Sequence, residues 1–298
     1  MSGPRWDVEG RNWPNRSASR FIETPGLKWH VQIAGEGPVV LLLHGTGAAT
    51  HSWRDVLPLL SKGFTVIAPD MPGHGFTQGR PKQGLTLNGM ASALTDLLRA
   101  LNSQPTLIAG HSAGAAIALQ MVHAQSLATP VVGFNPALMP FPGLAAKLFP
   151  SLAKMLFVNP FVPRMLAKIA RIPGETGRFL ARATGSQIDA KGIAAYEALM
   201  SNHRHCGGAM EMMASWDLEA LSRLLPQVAS PVLLVHSSGD TAVPLNSVER
   251  AAKLIPDCRL EVLPTLGHLA HEERPDRAAN LIRMFAAEKV SQMTGEPA

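Results

Sequence analysis

Gly110-His111-Ser112-Ala113-Gly114 places a serine between small residues, after the apolar run Thr106 to Ala109 and before the alanine-rich stretch Ala113 to Gln125. G-x-S-x-G between a strand and a helix forms a tight, strained turn that lifts the hydroxyl above the edge of a sheet. A bulky residue at Gly110 or Gly114 would stop the two elements from closing around it. A hydroxyl at its ordinary pKa is a poor nucleophile, so acyl transfer also needs a base to take its proton and an acid to orient that base. In the chain order that goes with this turn, the acid and then the histidine follow the serine. Asp240 comes after the apolar run Val232 to Val235, and His268 comes after the run ending at Leu263. Ser112, Asp240 and His268 are therefore expected as nucleophile, orienting acid and general base.

Other residues compete for these roles. Asp240 taken alone also reads as a turn aspartate capping the next helix. Glu272 and Glu273 are rival acids, but they lie beyond the histidine and are expected to fix the last helix. His44, His74, His111 and His271 are expected to be structural or loop residues. His203, His205 and Cys206 form an H-x-H-C run that invites a metal, yet no second cluster or nearby carboxylate completes a ligand set, so no metal is expected. The oxyanion needs two backbone donors. Ala113 N–H, at the helix start, and Thr46 N–H, in His44-Gly45-Thr46-Gly47, are the choices.

The positioning elements follow from hydrophobic period. Val39 to Leu43, Phe64 to Ala68, Thr106 to Ala109, Val131 to Phe134, Val232 to Val235 and Leu260 to Leu263 are short apolar runs of the kind buried parallel strands carry. Helix-period stretches alternate with them: Trp53 to Leu60, Leu87 to Leu101, Ala113 to Gln125, Ser247 to Leu254 and Pro275 to Ala287. This alternation predicts an α/β fold, a mostly parallel sheet flanked by helices, with sites at the carboxyl ends of the strands. Residues 137–215 break the pattern, being helical in character and cut by prolines such as Pro150, Pro160, Pro163 and Pro173. The expected organisation is a core of residues 1–136 and 216–298 with a helical cap inserted at 137–215.

Composition bounds the rest. With 46% hydrophobic residues, 16% charged and only two cysteines in 298 residues, the chain is neither disordered nor held by a disulfide framework. It has no apolar run near the roughly 18 residues of a membrane span and no apolar signal core at its amino terminus, so a cytoplasmic location is expected. The net charge is +5, and residues 137–215 hold nine basic residues against four acidic ones, which accounts for all of the surplus. A charge confined to one segment argues against nucleic acid. Beside the apolar residues of Phe141 to Ile172 it suggests an amphipathic carboxylate ligand or peripheral contact with a membrane, against a plain solvated face.

These motifs together resemble the α/β-hydrolase family from about Arg20 to Ala287: H-G-T-G at His44, A-P-D-M-P-G-H-G at Ala68, G-H-S-A-G at Gly110, D-T-A-V-P at Asp240 and G-H-L-A-H-E at Gly267. The resemblance implies the α/β-hydrolase fold with a cap over the active site. Trp29 to Gln32, His44 to Arg54, Asn135 to Gly143, Thr184 to Ser186 and Met212 to Leu218 are similar, more narrowly, to the magnesium-chelatase accessory family of bacteriochlorophyll biosynthesis. That likeness implies a hydrophobic ester substrate such as a porphyrin ester, or a non-catalytic role in contact with magnesium chelatase. General housekeeping hydrolysis is the third reading. Acyl transfer of this type needs no cofactor, and no nucleotide fingerprint is present.

Overall fold

The structure, a computed structural model, describes residues 3–140, 159 and 161–294. Strands β1 (Ser19–Thr24), β2 (Leu27–Ala34), β3 (Val39–Leu43), β4 (Thr65–Pro69), β5 (Gln78–Gly79), β6 (Leu107–His111), β7 (Val131–Phe134), β8 (Val232–Ser237) and β9 (Cys258–Leu263) form one sheet in the order β1-β2-β4-β3-β6-β7-β8-β9, with β5 on β2. From β4 to β9 neighbouring strands run parallel, while β1, β2 and β5 pair antiparallel at one edge. Each predicted strand is present, shifted or extended by one or two residues where the ladder continues past the apolar run.

Alternation within β3 shows how the sheet is held. Leu41 and Leu43 join Ile67 and Ile108 on one face, under α2 (Leu87–Ala100) and α3 (Ala113–Ala124). Val40 and Leu42 join Val66 and Ala109 on the other, under α1 (Val56–Leu60) and residues of α11 (Pro275–Thr294) such as Ile282. With both faces covered, these strands can be apolar throughout, and each fully buried Leu or Val contributes about 1.5–3 kcal/mol. Helix α2 buries Met90, Leu94 and Leu97 and starts at Thr86, whose hydroxyl accepts from Gly89 N–H. The predicted helix from Trp53 is instead a short 3-10 turn, Thr50–Trp53, followed by α1, and the predicted helix from Ser247 is α9 (Leu245–Leu254).

Between β7 and β8 the chain supplies α4 (Phe161–Ala170), α5 (Glu175–Thr184), α6 (Ala190–Met200), α7 (His203–Ser215) and α8 (Leu218–Leu224), and no strand among the described residues. Leu221 and Leu224 of α8 belong to the core under the sheet. Residues 141–158, with Lys147 and Lys154, lie outside the described residues. The amino-terminal segment, for which no packing is apparent from its sequence, buries Trp13 against Phe76, Ala49 and Leu199, and Trp13 Nε1–H donates to Thr50 Oγ1 at 2.9 Å.

Candidate active site

Ser112 joins β6 to α3 with φ 50° and ψ −112°, a left-sided conformation costly for a residue with a Cβ. Its neighbours hold it there. Ser112 N–H donates to Phe134 O at 2.9 Å, and its own carbonyl accepts from Ala115 N–H at 3.2 Å and Ala137 N–H at 3.3 Å. A Cβ on Gly110 would strike the backbone of Gly114 and Ala115, and one on Gly114 would strike the Leu43 carbonyl. A Cβ on Gly45 would stand 3.3 Å from Ser112 Cβ, so the H-G-T-G loop passes directly against the serine.

His44 orients that loop. Its Nδ1 lies 2.8 Å from Gly45 O and its Nε2 accepts from Met71 N–H at 2.9 Å, so Nδ1 carries the proton and donates to the carbonyl. In a trans peptide the following N–H, that of Thr46, points to the opposite side. Ala113 N–H is among the first donors of α3, which no helix pairs internally.

The side chain of Asp240 is buried and has four hydrogen bonds. Oδ1 accepts from Ala242 N–H at 2.7 Å and Val243 N–H at 2.9 Å, while Oδ2 accepts from Asn135 Nδ2 and pairs with His268 Nδ1, both at 2.8 Å. One oxygen thus closes the turn at Ala242 and Val243 and the other faces the histidine, while the next helix starts from Pro244 with no side-chain cap, so Asp240 does not cap it. Burial alone would raise its pKa, but the hydrogen bond and charge of His268, with Val243 N–H and Asn135, hold it below the ordinary value. An ionised Asp240 only accepts, so His268 Nδ1 is protonated and Nε2 is left as the basic nitrogen. Asn135, in the left-handed region at φ 46° just beyond β7, opens one of the stretches that carry the narrower family likeness, but no site role was read from it; its place at the carboxyl edge of the sheet was the available signal.

His268 is anchored by its backbone. Its N–H donates to Thr184 O at 2.7 Å, and its carbonyl pairs with His111 Nε2 at 3.0 Å. The next residue, Leu269, donates its N–H to Ser186 Oγ at 2.8 Å. The inserted segment thus holds the histidine loop through Thr184 and Ser186.

Glu272 and Glu273 do not serve mainly to fix the last helix, as expected from sequence. Both sit on the short helix α10 (Ala270–Glu273). Glu272 accepts from Ser52 Oγ, Tyr196 OH and Arg54 Nη1 at 2.7, 2.7 and 2.6 Å. Glu273 accepts from Gly267 N–H at 2.8 Å and Gln187 N–H at 3.3 Å. A buried carboxylate needs a buried cation and hydroxyls, and in this sequence those lie far from the last helix.

The H-x-H-C run also disperses. His205 Nε2 pairs with Gly47 O at 3.0 Å and Nδ1 accepts from Gly75 N–H at 3.1 Å, so α7 grips both the H-G-T-G and the P-G-H-G loops. Cys206 Sγ donates to Met200 O. His74 packs its ring between His44 and His205, with centroids 5.3 and 5.5 Å away.

Burial keeps these histidines neutral. His205 is pushed down to about 4 from its ordinary 6.5, and His44, His51, His74, His111 and His271 are lowered by the same cause. Between pH 4 and 6.5 the unfolded chain binds a proton at position 205 that the folded chain refuses, so stability is complete above 6.5 and drains as pH falls toward 4. His205 alone is worth roughly 3 kcal/mol across that window. Glu272, raised by burial, acts in the opposite direction but is one group against six. Urea unfolding at pH 7 and pH 5 is expected to show a clearly lower midpoint at pH 5; an unchanged or higher midpoint would contradict neutral burial of these rings.

With this geometry in view, the comparisons place the chain. The family profile described as alpha/beta hydrolase fold matches residues 38–275. The magnesium-chelatase 30 kDa subunit of Rhodobacter capsulatus is 41% identical over 276 residues, covering 91% of this chain and 95% of that protein. The pimeloyl-(acyl-carrier protein) methyl ester esterase of Aromatoleum aromaticum is 31% identical over 255 residues, covering 82% and 96%. Among solved structures, the thermophilic esterase of Thermogutta terrifontis superposes with TM-score 0.69 at 24% identity, covering 91% of this chain and 98% of that one. The epoxide hydrolase CorEH superposes with TM-score 0.74 at 21% identity over the same shares. Sheet order, strained serine turn and family profile agree: the chain belongs to the α/β-hydrolase fold family.

Proposed function

We propose that the chain is a serine hydrolase that cleaves a hydrophobic ester through an acyl-enzyme, within bacteriochlorophyll or magnesium-porphyrin biosynthesis. The observation that carries this reading is the 2.8 Å bond between buried Asp240 and His268 Nδ1, on the same sheet edge as a serine held at φ 50°. In the first step His268 Nε2 takes the Ser112 proton as Oγ attacks the ester carbonyl. The N–H groups of Ala113 and Thr46 receive the oxyanion; such a donor is typically worth about 10²–10³ in kcat. Collapse expels the alcohol, which takes the proton from His268, and leaves an acyl-serine. Water, deprotonated by His268, then attacks the acyl carbon and releases the acid and Ser112.

Helices α4–α7 act as the cap over this site. Their grip on the His268 loop through Thr184 and on the oxyanion loop through His205 supports that role. The pathway is supported by the relative named for magnesium chelatase and the ester class by the relative named as a methyl ester esterase. No helix among the described residues is long and apolar enough to cross a membrane. Phe161, Met165 and Ile169 of α4 are exposed on one face beside Lys168, which supports peripheral contact of the cap with an anionic membrane surface.

The test is an active-site fluorophosphonate, expected to label the native protein and spare Ser112→Ala. Refusal by the native protein overturns the hydrolase reading. The relative's name as a chelatase subunit favours a second reading, a non-catalytic partner of magnesium chelatase that binds a porphyrin. Full restoration of pigment synthesis by Ser112→Ala would select it.

A further inference from the structure

Gly45 to Ala48 form a β-turn in which Ala48 N–H donates to Gly45 O at 3.2 Å. Gly47 stands at φ 75° and Thr46 lies outside the left-handed region, the pattern of a type II turn. A single bond closes this turn, so its shape depends on what holds its remaining polar groups. The Gly45 carbonyl is held from the core, where His44 Nδ1–H donates to it at 2.8 Å. The Gly47 carbonyl is held from the inserted segment, where His205 Nε2–H donates to it at 3.0 Å. Thr46 N–H, the second oxyanion donor of the ester-cleaving site, lies between these two grips.

The His205 ring is itself fixed. Its Nδ1 accepts from Gly75 N–H at 3.1 Å, which leaves the ring proton on Nε2, facing Gly47 O. Burial pushes its pKa down to about 4, so this one tautomer persists through neutral pH. One helical turn further along α7, a Cβ on Gly208 would strike the Gly73 carbonyl, so helix and loop meet backbone to backbone. His205 and Gly208 are three residues apart and therefore share a face of α7. A shift of α7 would pull the imidazole from both loops together.

Resting on the serine-hydrolase reading above, we propose that His205 is a positioning residue of the ester-cleaving site: from the inserted segment it sets the turn that presents Thr46 N–H, so the second oxyanion donor is in place only while α7 is docked. The inserted helices then do more than cover Ser112; they complete the electrostatic half of its site. Charge on the substrate oxygen develops only during attack, so a misplaced donor costs transition-state stabilisation and leaves ground-state binding nearly intact. That asymmetry separates positioning from a purely structural role.

His205→Phe keeps a planar ring and removes both nitrogens, whereas His205→Gln keeps one donor and one acceptor. With a p-nitrophenyl ester, His205→Phe is expected to lower kcat by about 10²-fold and leave KM within about threefold. His205→Gln is expected to regain about tenfold or more of that loss. Cys206→Ala removes the bond of the same helix to Met200 O and is expected to keep kcat within about twofold. Hydrogen exchange of the peptide spanning residues 44–50, read by mass spectrometry, is expected to quicken in His205→Phe and return toward native in His205→Gln. Thermal unfolding is the control for folding, and if His205→Phe does not fold, His205→Ala carries the same expectations. An unchanged kcat in the folded variant, a raised KM with kcat intact, an equal loss in Cys206→Ala, or unchanged exchange at 44–50 would each overturn the proposal. A native protein that cleaves no ester and refuses the fluorophosphonate overturns the hydrolase reading instead, and exchange at 44–50 then decides whether His205 holds the turn.

Discussion

Replacing Ser112 by alanine is expected to lower kcat for a p-nitrophenyl ester by about 10⁶-fold, and His268→Ala by a similar factor, with the double variant no worse than either single one. The three effects coincide because nucleophile and base act in one proton transfer, so losing either loses the whole step. Asp240→Asn should cost about 10⁴-fold. The asparagine amide could place its N–H toward His268 Nδ1, making Nδ1 the acceptor and moving the ring proton to Nε2, the nitrogen that has to be basic. The pH profile separates this from simple misfolding. Asp240 is held below its ordinary pKa, so activity lost through the acid in the native protein falls away only at the acid end. Stopped assays of the purified variants, with circular dichroism as a folding control, check the series. An Asp240→Asn protein within about tenfold of the native rate would remove Asp240 from the orienting role.

The largest stability effect is expected at Arg54. Its guanidinium is 6% exposed and bonds Glu272 at 2.6 Å and Asp189 at 2.8 Å, joining the core to the start of α6. Arg54→Ala would leave Glu272 buried without its cation, which typically costs about 3–5 kcal/mol. Burial already raises the pKa of Glu272, so without Arg54 the carboxyl would tend to protonate, and part of the loss should be recovered at acid pH. Asp189→Asn, on the exposed arm of the network, should cost about 1 kcal/mol or less. Adding Glu272→Gln to Arg54→Ala should recover stability, because the uncompensated charge is gone. Urea unfolding of these variants checks the order, and an Arg54→Ala protein within about 1 kcal/mol of native would show that the pair is not what holds the inserted helices to the core.

The parts of this molecule legible from sequence are those in which local pattern and tertiary position have one cause. Val39 to Leu43 is apolar at every position because both faces of the strand are covered, so its place inside a parallel sheet could be read directly. Gly110 and Gly114 are small because the strained turn admits nothing larger, so the serine turn could be read from its glycines. Asp240 and His268 followed from their places after strands. The likeness to known families added a pathway, which spacing alone does not contain.

What only the tertiary structure decided lies where partners are distant in the chain. Asn135 meets Asp240 across 105 residues, and Ser52 meets Glu272 across 220, contacts that no local period encodes. Glu272 therefore joins Ser52 and Arg54 to Tyr196, and Glu273 holds the loops at Gly267 and Gln187, rather than the last helix. His205, in the H-x-H-C run, uses both ring nitrogens on the backbones of two loops that lie far from it in the chain. The charge surplus of residues 137–215 was plain in the sequence, but not which other charges lie beside it. Arg164 and Arg204 of that segment share one hollow with Arg5, Lys28 and Arg80 from outside it, because the fold brings the amino-terminal segment and the β2 edge up to α7. Composition determines how much charge a segment carries; only packing decides which charges face the same space.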